Sequence, residues 1–405
     1  LEKAVSCLIR TVECKSIGWQ HVAINNEHDI NNEHDNNHDG NNDDDYGDDH
    51  DDDNRGNLIS SLDEDITEAA PPSVEDHPYQ LLTPDVVIDA VESTGRLSDA
   101  RILALNSYEN RVYQVGIDEG EPVIVKFYRP DRWTVAQIVE EHVFTQKLYD
   151  LDIPVVPPLV IQEGETPTLA KFNNFYFSIY PRQGGRAPEL DNLDHLYQLG
   201  QFIGRIHAVG ASYPFQHRID LRVKAFGHDS VAYLLDNNFI PNDLRAAYKS
   251  ISKELLLAIE KANPESDDFK AISLHGDCHP GNVLWRDDRP HFVDFDDAMT
   301  GPAIQDLWML LSGDTSNKQR QLSEIIEGYE AFYPFNTAEL RLIEPMRALR
   351  VLNYSAWLAK RWHDPAFPAS FPWFNTERYW SEHILELKEL VSALAEPVLS
   401  LPDGF

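Results

Sequence analysis

The spacing of apolar residues between positions 79 and 182 is typical of a small antiparallel sheet with one inserted helix. Short runs rich in β-branched and aromatic residues, separated by polar turn residues, predict strands. These runs are residues 102–105, 111–117, 122–128 and 175–180. Helical spacing predicts one helix at about residues 134–149. Another helix begins at Thr83-Pro84, because threonine is a good N-cap and proline suits the first helical position.

From residue 183 onward helical patterns dominate, and they are interrupted by a short strand–loop–strand segment at 274–296. Strands followed by helices are typical of an α+β protein. We therefore predict a nucleotide-binding N-lobe at 79–182 and a larger, mainly helical C-lobe at 183–405. The late aromatic segment 367–374 is expected to be buried as core, and the alternatives are the lining of a small pocket or a protein-docking surface.

Residues 1–78 differ in composition from the rest of the chain. They carry 21 Asp and Glu against 4 Lys and Arg, half of the net charge of −34, and repeat Asn, His and Asp. Such a segment buries too little apolar surface to offset the entropy of ordering, so an acidic disordered extension is predicted. The remaining residues are also acidic, which argues against nucleic acid as a partner.

The chain has three cysteines, too few and too scattered for a disulfide framework. Because disulfides are rare in a reducing cytosol, this favours a cytoplasmic protein. No apolar run approaches the ~18 residues that a spanning helix needs, and the first twenty residues have no signal-peptide core. We expect no membrane partner and a monomer.

The segment 274–284 carries the candidate chemistry. It contains His275-x-Asp277-x₄-Asn282 on a loop with glycine and proline, and Asp294 follows a short apolar stretch. Phosphoryl transfer needs an acid that orients the attacking hydroxyl and oxygen ligands for the Mg²⁺ that bridges the phosphates. Asp277 is the predicted acid, and Asn282 and Asp294 are the predicted metal ligands. The sequence thus predicts an ATP- and Mg²⁺-dependent kinase with a bilobal, protein-kinase-like fold.

A kinase also needs a lysine on its third strand and a helix acid that positions this lysine. Lys126 lies in the otherwise apolar third strand, before the predicted helix. Its partner is Glu140 or Glu141. We prefer Glu141, because Phe144 and Leu148 then follow it at +3 and +7 on one helix face.

The loop before residue 111 occupies the position that covers the phosphates, yet it contains no glycine. The Ser107 hydroxyl and neighbouring backbone amides are expected to replace a glycine-rich loop at the ATP phosphates. An ordinary polar hairpin turn is the alternative. Adenine is expected near the linker at 178–182.

Three further expectations concern the region around the loop. Asp306, at the start of an apolar helix predicted after Gly301, is expected either to tether the catalytic loop or to lie in the first helical turn, where an acid is favourable. Only six residues separate Asp294 from Gly301, which is too short for a regulatory activation segment, so no activating phosphorylation is expected. Cys278 lies between Asp277 and a histidine that could lower its pKa and make the enzyme redox-sensitive, although an inert buried thiol is more usual.

The motif at 275–284, the Val293-Asp294-Phe295-Asp296 segment and Leu199-Gly200-x₃-Gly204-x₂-His207 resemble the aminoglycoside phosphotransferase and choline kinase group. A closer resemblance, over roughly 79–405, is to the bacterial stress response kinase A family, also called the RdoA or YihE type. It is carried by residues 106–115, 125–134, 275–287, 301–314 and 364–373.

This resemblance implies an autophosphorylating serine/threonine protein kinase that acts under stress. It implies Asp277 as catalytic base, Asn282 and Asp294 as Mg²⁺ ligands, and Ser107 at the ATP phosphates. The residues alone predict only an ATP-dependent kinase that acts on a hydroxyl. A kinase for an amino alcohol, a sugar or an aminoglycoside-like compound stays open. A pseudokinase that serves as a binding module would normally lack the lysine or a metal ligand, and neither is missing.

Overall fold

A computed structural model of the protein describes residues 77–105, 107–262, 264–266 and 268–401. The predicted disordered extension therefore lies outside the described residues, except for its last two positions. None of the helices in the described ranges is long and apolar enough to cross a membrane.

The N-terminal part of the described chain is built on a five-stranded antiparallel sheet with strand order β1-β2-β3-β5-β4. Its strands are β1 (Ser98–Leu105), β2 (Arg111–Ile117), β3 (Val123–Phe127), β4 (Ala170–Phe172) and β5 (Phe175–Pro181). Four of them agree with the predicted runs to within four residues at each end. The fifth, β4, was not predicted, because three residues are too few to show a period of two.

Two helices accompany this sheet, and side chains cap both of them. Helix α1 (Pro84–Glu92) begins after Thr83, whose hydroxyl accepts the N–H of Val86. Helix α2 (Val135–Asp150) begins after Thr134 with a complete capping box. Phe144 and Leu148 of α2 belong to the core of the helical part rather than to the core below the sheet. Helix α2 therefore connects the two parts of the molecule.

The second part is mainly helical, as predicted. Its helices are α3 (Leu193–Ser212), α4 (Asp229–Asp236), α5 (Asn242–Ala262), α6 (Thr315–Glu330), α7 (Ile343–Lys360), α8 (Ala366–Ser370) and α9 (Glu377–Ala393). Short antiparallel pairs are formed by β6 (Ile272–Leu274) with β9 (Met299–Gly301) and by β7 (Val283–Arg286) with β8 (Arg289–Phe292). The bilobal α+β prediction is confirmed, while the boundary at 182/183 stays a prediction.

Helices α3 and α6 approach each other closely because glycines line their contact. A Cβ added at Gly200 would lie 2.1 Å from the carbonyl oxygen of Ile325, and one at Gly204 would lie 2.6 Å from that of Tyr329. The close approach brings His207 of α3 within 2.8 Å of the Tyr329 hydroxyl. The glycine and histidine pattern of the sequence thus places one buried histidine at the helix interface.

Two local predictions near the C-terminal half have clear outcomes. The helix predicted after Gly301 is wrong: the segment forms two short 3₁₀ turns, Ala303–Asp306 and Trp308–Leu310. A 3₁₀ turn repeats about every three residues, so buried apolar side chains recur along this segment at nearly the spacing of an α-helix. Most of the aromatic segment is core, since Phe367, Phe371 and Phe374 are buried, but Trp373 is 39% exposed.

Candidate active site

The loop at 275–282 leaves β6 through a glycine that has two independent requirements. Gly276 has φ +86°, a left-handed conformation that residues with a Cβ rarely adopt. A Cβ at this position would also lie 2.1 Å from the carbonyl oxygen of Asp297. The loop therefore packs backbone to backbone against the segment that follows β8.

Asp306 holds the start of this loop. Its two carboxylate oxygens accept the backbone N–H groups of His275 and Gly276, each at 2.8 Å, and one of them also lies 3.0 Å from Nε2 of His207. Asp306 and His207 are almost fully buried. Because ionised acceptors make the stronger hydrogen bonds, one carboxylate fixes two consecutive backbone amides of the loop. The tether predicted for Asp306 agrees with this geometry.

Asp277 lies directly after this anchored start. Its Oδ1 is 2.5 Å from Nη1 of Arg350 on α7, and its Oδ2 is 3.5 Å from Nε2 of His279. Burial opposes ionisation, but the Arg350 guanidinium and the neighbouring histidines outweigh it and lower the pKa of Asp277 to about 2. The carboxylate is therefore ionised at neutral pH and is a hydrogen-bond acceptor rather than a strong base.

The β7–β8 hairpin brings the two predicted metal ligands to one end of the site. Val283 pairs with Phe292, and the Val293 N–H donates to the Asn282 carbonyl at 3.0 Å, so Asn282 lies beside the backbone that leads into Asp294. Asp294 has a left-handed backbone, with φ 60° and ψ 63°, and its side chain is 45% exposed. The Asn282 side-chain N–H₂ donates to the Asp277 carbonyl, which leaves the amide oxygen as an acceptor.

This donor set fits Mg²⁺. One carboxylate and one amide oxygen are the hard ligands that Mg²⁺ prefers, with the remaining positions left to phosphate oxygens and water. No cluster of three or more His, Cys, Asp or Glu side chains that could hold a metal alone occurs among the described residues.

Lys126 lies on β3 and faces the end of this hairpin. Its Nζ is 2.9 Å from Oδ1 of Asp294 and 3.2 Å from Oδ1 of Asp296. Asp296 also pairs with Arg132 at 3.0 Å, and these cations lower its pKa against the effect of burial. The buried lysine thus joins the sheet to the Asp294–Asp296 segment.

The two glutamates considered as partners of Lys126 have other contacts. Glu140 accepts the backbone N–H groups of three consecutive residues, 216–218, at 2.6–2.8 Å. Glu141 is buried, lies 3.6 Å from His142 and accepts the Thr145 hydroxyl at 3.2 Å. Burial raises the pKa of Glu141 to about 7, although the charge of Lys126 lowers it.

The predicted pairing of Lys126 with Glu141 is therefore corrected. Within the described ranges, the ion pairs of the lysine are with Asp294 and Asp296. The physical reason is that the segment after β8 brings two carboxylates up to the lysine, and Glu141 acts on it only through a weaker, longer-range attraction.

Ser107 begins the loop between β1 and β2, and its hydroxyl donates to the Asn110 carbonyl at 3.0 Å. The loop is fastened to the helical part by two contacts. The ring of Tyr108 lies 4.7 Å from that of Phe371, and Glu109 forms a buried ion cluster. The partners of Glu109 are Arg129 at 3.1 Å, Arg132 at 3.4 Å, Arg361 at 2.5 Å and the Trp357 indole N–H at 2.5 Å. The role of Ser107 at the ATP phosphates stays a prediction.

The surroundings of Cys278 contradict the lowered thiol pKa on which the redox hypothesis rests. The thiol is 1% exposed, and burial together with the neighbouring carboxylates raises its pKa well above the usual value. A thiol that stays protonated and out of solvent is a poor nucleophile. Cys278 packs as a small core side chain.

Several site residues were not predicted from the sequence. Arg350 approaches Asp277 from 73 positions further along the chain, and Arg132 and Asp296 share the lysine cluster. Arg350 carried no signal, because nothing in the local sequence distinguishes it from Arg347 on the same helix. Asp296 could have been found from the sequence, because it lies two residues after Asp294 in the Val293-Asp294-Phe295-Asp296 segment.

Together, a lysine from an antiparallel sheet, an acid and an amide on a tethered loop, and a second acid after a hairpin can bind phosphates and orient a hydroxyl. These features, in a fold of two parts, define a phosphotransferase of the kinase-like class.

Comparison with known proteins agrees with this class. Residues 101–343 match the phosphotransferase enzyme family. Stress response kinase A of Escherichia coli (strain K12) is 45% identical over 323 residues, which are 80% of this chain and 97% of that protein. The serine/threonine protein kinase RdoA of Salmonella typhimurium (strain LT2) is 44% identical over 323 residues, with the same coverage of 80% and 97%. The chain belongs to the phosphotransferase enzyme family, and its resemblance to the stress response kinase A family is confirmed.

A solved structure supports the fold assignment. The amicoumacin kinase hAmiN, in complex with AMP-PNP and Ca²⁺, has a TM-score of 0.60 and 18% identity, and the match covers 76% of this chain and 93% of that one. At this identity the similarity shows the fold alone.

Proposed function

We propose that the protein is a cytoplasmic, ATP- and Mg²⁺-dependent serine/threonine protein kinase that transfers the γ-phosphate to a hydroxyl, including hydroxyls of its own chain. One observation carries the proposal: Asp277 is held ionised on a tethered loop, while Asp294 and Lys126 lie in contact at the end of the adjacent hairpin. A hydroxyl acceptor and a phosphate donor thus each have a binding group of suitable charge.

In this proposal each residue has a defined task. Lys126 binds phosphate oxygens, and Asp277 accepts the hydrogen bond of the acceptor hydroxyl and aims its oxygen at phosphorus. Asn282 and Asp294 would hold Mg²⁺, which would supply positive charge to the phosphates. With a pKa of about 2, Asp277 contributes by orientation more than by early proton removal. Most of the rate enhancement then comes from positioning and electrostatics.

The choice of a protein acceptor rests on the relatives. The Salmonella protein is named a serine/threonine protein kinase, and the chain matches it along almost its whole length. Autophosphorylation, a role under stress and the cytoplasmic location are proposed on the same basis. Kinases for small molecules share only the fold at low identity, so a small-molecule acceptor is an outcome to be tested.

The test uses purified protein with γ-labelled ATP and Mg²⁺, and follows label on the protein itself, on casein-like proteins and on a panel of amino alcohols, sugars and aminoglycosides. Asp277→Asn should abolish transfer while ATP binding is retained. Asp287→Asn is the matched control, because Asp287 lies in the β7–β8 turn with its side chain 75% exposed, and it should keep normal activity.

Label on serine or threonine that is absent in Asp277→Asn supports the proposal. Label on a small molecule alone would assign the chain to the metabolite kinases. Near-normal transfer by Asp277→Asn would show that the assigned role is wrong.

A further inference from the structure

Arg350 is placed where an acceptor meets the catalytic loop. It projects from α7, in the helical part, and its Nη1 lies 2.5 Å from Oδ1 of Asp277. Lys126 and Asp294 mark the phosphate side of the site, and they belong to the sheet and the hairpin. Because Asp277 binds the acceptor hydroxyl in the proposed function, Arg350 lies on the side from which the acceptor arrives.

The Arg350 guanidinium has binding capacity left. Among the residues that the structure describes, its hydrogen bond is the one to Asp277, whereas a guanidinium has five N–H donors. Its side chain is 31% exposed, while that of Asp277 is 11% exposed. The Arg350 side chain is therefore more open to solvent than the carboxylate with which it pairs.

The next turn of α7 adds a second polar group. Tyr354, four residues after Arg350, has a buried hydroxyl oxygen with no hydrogen-bond partner in the described part of the chain. A buried hydroxyl without a partner costs free energy, and an incoming acceptor atom would remove that cost. Arg350 and Tyr354, one turn apart on α7, thus form a short row of donors, and the first of them pairs with Asp277.

The charges of this row disfavour cations. The Asp277 carboxylate is already neutralised by Arg350, so an amino group on the acceptor would meet a compensated acid and a partly exposed arginine. A carboxylate or phosphate beside the acceptor hydroxyl would instead meet unused N–H donors in a geometry suited to bidentate pairing.

We propose that Arg350 is a specificity residue that selects hydroxyl acceptors flanked by an acidic group, such as a serine next to a glutamate in a peptide, over acceptors flanked by a positive charge. This inference rests on the proposed kinase function and adds the acceptor class to it.

The test uses three peptides that differ only in having Glu, Gln or Lys beside a single serine. With wild-type protein, kcat/KM for the Glu peptide should exceed that for the Lys peptide about 10- to 100-fold, the range of a charge-assisted hydrogen bond. Arg350→Gln should remove the preference mainly through KM, and Arg350→Lys should keep its sign. Arg347→Gln is the matched control, because Arg347 lies one turn earlier on α7 and pairs with Glu344 instead.

Peptide affinity is measured in parallel by fluorescence anisotropy, which needs no phosphate transfer. An affinity preference that depends on Arg350 supports the proposal even if no peptide is phosphorylated, in which case the kinase proposal alone fails. Equal peptide preference in wild type and Arg350→Gln overturns the proposal. The same conclusion follows if Arg350→Gln lowers kcat equally on every peptide and on water, because Arg350 would then act on Asp277 or the phosphate.

Discussion

Replacing Asp306 by asparagine tests whether one buried carboxylate controls the geometry of the catalytic loop. The side-chain shape is kept, but one acceptor oxygen becomes an N–H₂ donor that faces a backbone N–H. Of the amides of His275 and Gly276, both at 2.8 Å, one then loses its partner. An unpartnered buried donor costs about 1–3 kcal/mol. The hydrogen bond that remains is weakened by about 1 kcal/mol, because its acceptor oxygen no longer belongs to a charged carboxylate. The local loss is therefore about 2–4 kcal/mol.

Hydrogen exchange measured by mass spectrometry on loop peptides reports this loss directly. We expect exchange at residues 275 and 276 to accelerate at least about 30-fold, the equivalent of about 2 kcal/mol, and kcat to fall with it. Asp314→Asn is the control. Asp314 caps α6 by accepting the Asn317 N–H at 2.8 Å, and asparagine caps a helix equally well, so exchange and activity should stay unchanged.

His207→Gln, alone and combined with Asp306→Asn, completes a double-mutant cycle. Because His207 shares an oxygen of Asp306, the two losses should be less than additive. Loop exchange within threefold of wild type in Asp306→Asn would refute the reasoning, since the carboxylate would then not hold the loop.

Further predictions concern backbone, charge and pH. Gly276→Ala should lower kcat by about 100-fold or more because it displaces the loop. Gly95→Ala is the control: Gly95 has a similar φ of +83° but nothing within 4 Å of an added Cβ, so this variant should change only stability. Equal kcat values for the two variants would contradict the prediction. Glu109→Gln should lower the free energy of unfolding in urea by about 3–5 kcal/mol, as expected when a buried ion cluster loses its acid, and the exposed Glu163→Gln by less than about 0.5 kcal/mol. Burial raises the pKa of Glu339 from 4.5 to about 7, so the stability it contributes is present below pH 4.5 and is lost as pH rises through 7. Between pH 4.5 and pH 8, the free energy of unfolding of Glu339→Gln should therefore rise by about 2–3 kcal/mol relative to that of wild type. If the two free energies change with pH in parallel, this prediction is wrong.

The sequence by itself determined the features that depend on residues close together in the chain. Strand periods, the Thr83 cap and the Lys126 strand follow from local spacing, and the order of strands and helices implied the fold class. Asp277, Asn282 and Asp294 could be proposed from the sequence because they lie within eighteen positions of each other, on one loop and the hairpin that follows it.

The tertiary structure decided which elements meet. Lys126 pairs with Asp294 and Asp296 rather than Glu141, because the segment after β8 lies closer to it than the helix acid does. Arg350 reaches Asp277 only through the packing of α7 against the loop. The contacts of a side chain with distant residues, and the burial that raises the pKa of Cys278, depend on how helices and sheet pack. Local spacing does not encode that packing, because an apolar face specifies burial without specifying the neighbour.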